Sequence, residues 1–164
     1  MSGSAAPVRL GLALSNEAPI AGTVALASQA ELLGLSEVWL PESSHGRGVF
    51  SVASAVAAKT QRIKIGIGIV NPFWRHPSVI AMEAAALDEA CGGRLMLGLG
   101  AALWTLRALG EADGRTRRPL TAMVEAIRVV RSMLRGEPGI DSQVFAVRSD
   151  AKLDFARLRP ALPI

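Results

Sequence analysis

The chain has 164 residues, the length of one domain; half of them are hydrophobic and a fifth are charged, as in a soluble globular protein with ample apolar material for a core. Cys91 is the only cysteine, which excludes an intrachain disulfide and a cysteine pair for zinc or redox chemistry; flanked by Ala90 and Gly92, it reads as a packed thiol. No stretch approaches the ~20 apolar residues of a membrane span. Met1–Ala6 lacks the basic and apolar regions of a signal peptide, so a cytoplasmic protein is expected. The charge of +4 lies in the second part of the chain: residues 1–100 balance seven basic against seven acidic side chains, whereas 101–164 hold eleven against seven. Arg128, Arg131 and Arg135 share one helix face. Without a dense Lys/Arg cluster, tyrosines or interleaved aromatics for base stacking, this reads as a solvated face and not a nucleic-acid surface.

Strand-like and helix-like segments alternate along the chain. Val8–Leu14 predicts a strand. Ile20, Val24, Ala27 and Ala30 then recur at helical spacing as far as Leu33, where Gly34 ends the helix. Glu37–Leu40 is a short strand closed by Pro41, and Val49–Ala58 an Ala/Val-rich helix. Ile63–Val70, with isoleucine at 63, 65, 67 and 69, is the clearest strand. Pro77–Glu89 predicts a helix with proline in its first turn, Arg94–Leu99 a fourth strand, and Pro119–Arg135 a longer helix stopped by Gly136. Strand starts near 8, 37, 63 and 94 give a repeat of roughly thirty residues, the size of a βαβ unit. Such a repeat implies a parallel sheet with right-handed crossovers. Four units make half of an eightfold barrel; a small open doubly wound sheet is the alternative. Two segments fall outside the repeat. Ala101–Arg118 predicts a long loop after the fourth strand, and Glu137–Ile164, with Val144–Val147 and Leu153–Phe155, a small β insertion.

Polar and small residues gather at the strand C-termini, where parallel α/β folds build ligand crevices. These are Ser15 and Asn16; Glu42, Ser43, Ser44 and His45; Asn71 with Pro72–Pro77; and Gly98, Gly100 and Ala101. Glu42 is a candidate base or acceptor, or else the ion-pair partner of Arg47 or Arg75. His45 is a candidate proton shuttle, or a solvated loop histidine. Two histidines thirty-one residues apart make no metal site. Gly66 and Gly68 interrupt a strand, which signals a bulge or a close approach, either by a flat ligand or by a packed helix. Gly98-Leu99-Gly100 fails as a dinucleotide fingerprint because Leu103 stands at the third glycine position. No serine lies in a nucleophile elbow.

Several motifs in order resemble the luciferase-like flavin and deazaflavin oxidoreductases, above all the branch that uses coenzyme F-420 and includes methylenetetrahydromethanopterin reductases. They are Ala30-Glu31-Leu32-Leu33-Gly34, Val38-Trp39-Leu40-Pro41-Glu42, Ala57–Ile63, Ile65–Phe73, Arg75-His76-Pro77 and Gly92–Gly100. The resemblance implies a TIM-type (β/α)8 barrel, at about 250 residues or more when complete. Residues 1–136 then correspond to its N-terminal half of four βα units, and 137–164 to an insertion or tail leading to a missing fifth strand. It implies a deazaflavin (coenzyme F-420) or FMN at the C-terminal face, with a non-proline cis peptide at Gly68–Ile69 backing the ring. Asn71 would lie near the pyrimidine edge, with Gly98, Gly100 and Ala101 lining the neighbouring strand end and Glu42 and His45 in catalytic positions on the substrate side. The chemistry implied is hydride transfer between the cofactor and an organic small-molecule substrate. Two local departures stand out: Glu42 and His45 are separated by two residues where the family often has an adjacent pair, and Ala102 replaces a common glycine. Three functional expectations follow. One is an oxidoreductase completed by a homodimer or by a separate C-terminal half-barrel, since open parallel edges demand partners. The second is a non-catalytic remnant or assembly module of the same fold. The third is a self-sufficient small α/β domain binding a phosphorylated ligand.

Overall fold

The computed structural model describes residues 8–110, 118–137 and 141–164. In chain order the elements are β1 (Gly11–Ala13), α1 (Ile20–Leu32), β2 (Glu37–Leu40), α2 (Val49–Ala57), β3 (Lys64–Val70), α3 (Pro77–Ala90), β4 (Leu95–Leu99), a 3-10 helix (Leu103–Leu109) and α4 (Pro119–Arg135). The strands form one parallel sheet in the order β1-β2-β3-β4. Because the order never reverses, right-handed crossovers place every helix on the same face. That is the progression of a barrel wall. A doubly wound sheet reverses its strand order at a switch point and carries helices on both faces, so that alternative is set aside.

Strand alternation divides the residues between the two faces. Val38, Leu40, Ile65, Ile67, Leu95 and Leu97 are buried and belong to one core with the helices. The helices meet this layer largely through alanines, among them Ala27, Ala30, Ala53, Ala81 and Ala84, which lets their backbones come close to the β-branched strand face. Arg128, Arg131 and Arg135 are exposed along α4, and Cys91 is buried.

Two side chains tie together the end of the sheet where the strands begin. The Glu31 carboxylate at the end of α1 accepts from the backbone N–H groups of Gln61, Arg62 and Ile63, the last two at 2.6 and 2.7 Å. Arg94 donates to the carbonyls of Cys91, Ala57, Thr60 and Ile63 and to the Thr60 hydroxyl, satisfying carbonyls at the end of α2, where a cation is favoured.

Three expectations change. The first strand is shorter than Val8–Leu14. The long loop after β4 contains the 3-10 helix; of the remainder, 111–117 lie outside the described residues. The described part of 137–164 contains no strand, so the small β insertion is not formed. Side chains take the place of a ladder there: Glu125 accepts from the Ser142 hydroxyl and the Val144 N–H. Arg159 grips buried Asp88 through both oxygens and also donates to the Leu95 carbonyl. Beyond it, the Pro163 carbonyl accepts from Leu97 N–H at 2.9 Å, so the tail runs beside β4.

Glu31 gives a pH signature. Partial burial pushes its carboxyl up, but the three backbone donors and the charge of Arg62 together hold it below the ordinary glutamate value of 4.5. A carboxylate depressed on folding contributes stability above its unfolded value and loses it as pH falls through the folded one. Glu31→Gln is therefore less stable than the parent at pH 7 in urea unfolding, and the difference closes as pH falls below 4.5. A gap independent of pH between 7 and 3 would show that the charge of Glu31 contributes nothing.

Candidate functional site

Three strand C-termini converge on Asn71. This residue is almost fully buried, immediately after β3. Its backbone N–H donates to Glu42 Oε2 at 3.2 Å, its Nδ2 donates to the Ala101 carbonyl at 2.8 Å, and its Oδ1 accepts from Phe73 N–H at 2.9 Å. The ends of β2, β3 and β4 are thus joined through one residue. The side chain of Glu42 is 7% exposed, and its other oxygen accepts from Arg75 Nη2 at 3.0 Å. Arg75 also pairs with Glu83 at 2.9 Å and stacks over the Phe50 ring. The cation paired with Glu42 is therefore Arg75. Arg47 instead donates to the carbonyls of Asn16 and Glu17, and Asn16 ties the end of β1 to the β2–α2 loop. Burial pushes the Glu83 carboxyl up; Arg75 opposes this and the nearby Glu42 reinforces it.

The peptide bond Gly68–Ile69 is cis. Here the pairing slips: Ile67 faces Leu97 and Val70 faces Leu99, so Gly68 and Ile69 together oppose the single residue Gly98. The glycines fit this bulge individually. A Cβ on Gly98 would lie 2.7 Å from the Ile67 carbonyl oxygen, and one on Gly100 would lie 2.9 Å from Ile69 Cγ1. Gly98 thus admits the bulged backbone, and Gly100 admits the Ile69 side chain. Gly66 has a different neighbour from those expected. A Cβ there would stand 2.4 Å from the Trp39 indole, so a side chain of the adjacent strand lies across it, and not a helix or a ligand. Trp39 is fixed by its own Nε1–H, which donates to Glu37 at 3.0 Å.

A cavity of about 470 Å³ opens beside this bulge, lined by Pro41, Glu42, Ser43, Ser44, Gly68, Ile69, Ala102, Trp104, Thr105 and Ala108. Its size is within the range of small-molecule sites. Of the residues singled out from sequence, Glu42, Ser43, Ser44, Gly68 and Ile69 line it. Asn71, Gly98, Gly100 and Ala101 lie behind that wall and hold its shape. His45 is exposed, does not line the cavity, and makes no hydrogen bond or ion pair among the described residues. Trp104 and Thr105 were not singled out from sequence because they sit in a segment expected to be loop. The 3-10 helix brings them to the cavity, with Trp104 78% exposed. Ala102 caps that helix at φ 37°, a left-handed conformation that glycine adopts without steric cost. Among the described residues no group of histidine, cysteine and carboxylate side chains is placed to hold a metal.

A parallel α/β architecture with the progression of a barrel wall and a cavity at its strand C-termini is the class that this geometry defines. The family model described as luciferase-like monooxygenase matches residues 1–154, and the chain belongs to that family. It is 34% identical over 120 residues to a 5,10-methylenetetrahydromethanopterin reductase of Methanolobus tindarius, covering 73% of this chain and 36% of that protein. Its fold superposes on the coenzyme F-420-dependent tetrahydromethanopterin reductase of Methanopyrus kandleri with a TM-score of 0.80 at 25% identity, covering 90% of this chain and 46% of that one. An FMN-bound 3,6-diketocamphane monooxygenase constituent from Pseudomonas putida shares the fold at 18% identity with a TM-score of 0.74, over 94% of this chain and 48% of that one. The chain thus spans about a third to a half of the lengths of these proteins.

The glycine contacts separate two kinds of close approach. Gly66→Ala meets only the Trp39 side chain and should cost about 2 kcal/mol, much of it recovered on adding Trp39→Leu. Gly98→Ala meets a backbone oxygen, so a similar loss of about 2 kcal/mol should persist when Ile69→Ala is added. Urea unfolding of the four variants reads both, and equal rescue of the two would contradict the assignment.

Proposed function

We propose that this chain forms one wall of a flavin or deazaflavin site and takes part in hydride transfer to or from an organic substrate. The observation that carries the reading is the β3 bulge at Gly68 and Ile69 exposed on the wall of a cavity of about 470 Å³. The residues present fit a flat ring. Gly68 borders the cavity and carries no side chain of its own, Trp39 packs where a Gly68 Cβ would point, Ile69 is braced by Gly98 and Gly100, and Glu42 joins small, hydroxyl and aromatic groups in the lining. When bound, deazaflavin or FMN supplies the redox chemistry, and the protein supplies position and electrostatics. Family membership and the names of the relatives, coenzyme F-420-dependent reductase and FMN-containing monooxygenase, support these two cofactors.

The chain's own groups have distinct roles in this reading. Ser43 and Ser44 offer hydroxyls to the polar edge of the ring or to the substrate. Glu42, with one oxygen on Asn71 N–H and the other on Arg75, holds the β2–α2 loop against β3 and presents negative charge at the cavity wall. Asn71 and Ala101 fix the spacing of the β3 and β4 ends, whereas His45, exposed and outside the cavity lining, takes no part in this reading. The rest of the barrel, whether a second copy, a separate half or a further segment, completes the site and covers the open edge of β1.

The test is titration of the purified chain with deazaflavin coenzyme and with FMN, following ligand fluorescence while light scattering reports mass. Saturable binding by a species of at least two chains is expected. Ser44→Trp, which fills the cavity from a half-buried loop position, should abolish it without lowering Tm. No fluorescence change at any chain concentration, or binding unaffected by Ser44→Trp, would overturn the assignment.

A further inference from the structure

Trp104 lines the cavity beside the β3 bulge and is nonetheless 78% exposed. Of the large apolar side chains that stand in solvent among the described residues, it alone borders this cavity. The other two tryptophans of the chain are only partly exposed: Trp39 lies across Gly66 and donates to Glu37, and the Trp74 Nε1 is buried. The Trp104 indole N–H has no hydrogen-bond partner among the described residues. An indole is the largest flat apolar surface that a side chain offers, and covering it with another ring is favourable.

The segment that carries Trp104 is held in place. A 3-10 helix has three residues per turn, so Thr105 and Ala108 share one face, and both line the cavity. Leu106, 1% exposed, anchors another face. The Ala102 carbonyl accepts from the Thr105 N–H at 2.9 Å and from its hydroxyl at 2.5 Å. The Asn71 Nδ2 reaches the same hydroxyl at 3.4 Å. The backbone beneath Trp104 is therefore already ordered, and only two side-chain torsions remain to be fixed when a ligand covers it.

The charges at the cavity narrow the ligand further. Glu42 is the only ionisable residue in the lining, and no lysine, arginine or histidine joins it. An anionic group brought here would meet a carboxylate and find no cation in the lining to offset its lost hydration. A cation gains little either, because both Glu42 oxygens are engaged, one by Arg75 and the other by the Asn71 N–H. The Thr105 hydroxyl is committed to Ala102. The free polar groups are the hydroxyls of Ser43 and Ser44, which line the cavity and make no hydrogen bond among the described residues. A hydroxyl suits an uncharged oxygen as donor or acceptor.

We propose that Trp104 recognises the substrate of this site and that the substrate is an uncharged ring compound bearing a hydroxyl or carbonyl oxygen. Its ring stacks on the Trp104 indole, and its oxygen hydrogen-bonds to Ser43 or Ser44. On the hydride-transfer reading of the cavity, on which this rests, the bulge side holds the cofactor ring and the Trp104 side the substrate.

The test is calorimetric titration of the full chain with 2-naphthol and with 2-naphthoate, which share one ring system and differ in charge at neutral pH, alongside 1H–15N NMR of the tryptophan indoles. FMN is titrated separately. 2-Naphthol should bind saturably and move the Trp104 indole resonance, and 2-naphthoate should bind at least tenfold more weakly. Trp104→Ala should weaken 2-naphthol binding about tenfold, the size of a lost aromatic stack, with Tm unchanged because the side chain is exposed. Trp104→Phe should restore most of it, and FMN affinity should stay within about threefold in both variants. No saturable binding of 2-naphthol, an unmoved Trp104 indole, equal affinity for 2-naphthoate, or parallel loss of FMN and 2-naphthol in Trp104→Ala would overturn the proposal. Binding of 2-naphthol at Trp104 by a chain that takes up no FMN supports the substrate surface and counts against the cofactor reading alone.

Discussion

The geometry of the strand ends depends on the buried amide of Asn71. A parallel sheet pairs its strands along their length but leaves the loops beyond them unconnected. Asn71 connects them here by offering one donor to the β2–α2 loop, one to the segment after β4, and an acceptor to its own turn. Each partner is a group that would be costly to leave unpaired in a buried setting. The carboxylate that meets it, Glu42, is in turn held by Arg75, and Arg75 by Glu83 on α3. A chain of polar contacts thus runs from β4 through β3 and β2 to the helix layer, and it shapes the wall of the main cavity.

Close packing explains the glycines around that wall, although each answers to a different neighbour. Gly98 yields to the backbone of the bulge, Gly100 to Ile69 and Gly66 to Trp39. Only Gly68 both borders the cavity and belongs to the cis bond. The glycine-rich appearance of β3 and β4 therefore combines several packing requirements, Gly68 sharing its Trp39 neighbour with Gly66.

Membership of the luciferase-like family and the span of about a third to a half of its relatives' lengths fit the exposed aspect of the site. Trp104 stands largely in solvent at the cavity, and β1 pairs on one side only. These features suit a wall awaiting its opposite face.

The sequence by itself determined the alternation of strands and helices, the parallel order and the strand ends at which the main cavity opens. These follow from local periodicity: β-branched alternation at 63–69, helical spacing at 20–33, and stops at Gly34 and Gly136. It also marked Gly68–Ile69, through motifs whose order was recognisable. Only the tertiary structure decided which partner each polar group takes. Glu42 chose Arg75 over Arg47, and Trp39 filled the space above Gly66. It likewise turned the expected loop after β4 into a 3-10 helix and left the tail without strands. The reason is physical. Backbone periodicity is a local property, whereas ion pairs, close approaches and unpaired donors depend on residues thirty or more positions apart, brought together only when the sheet and its helices pack.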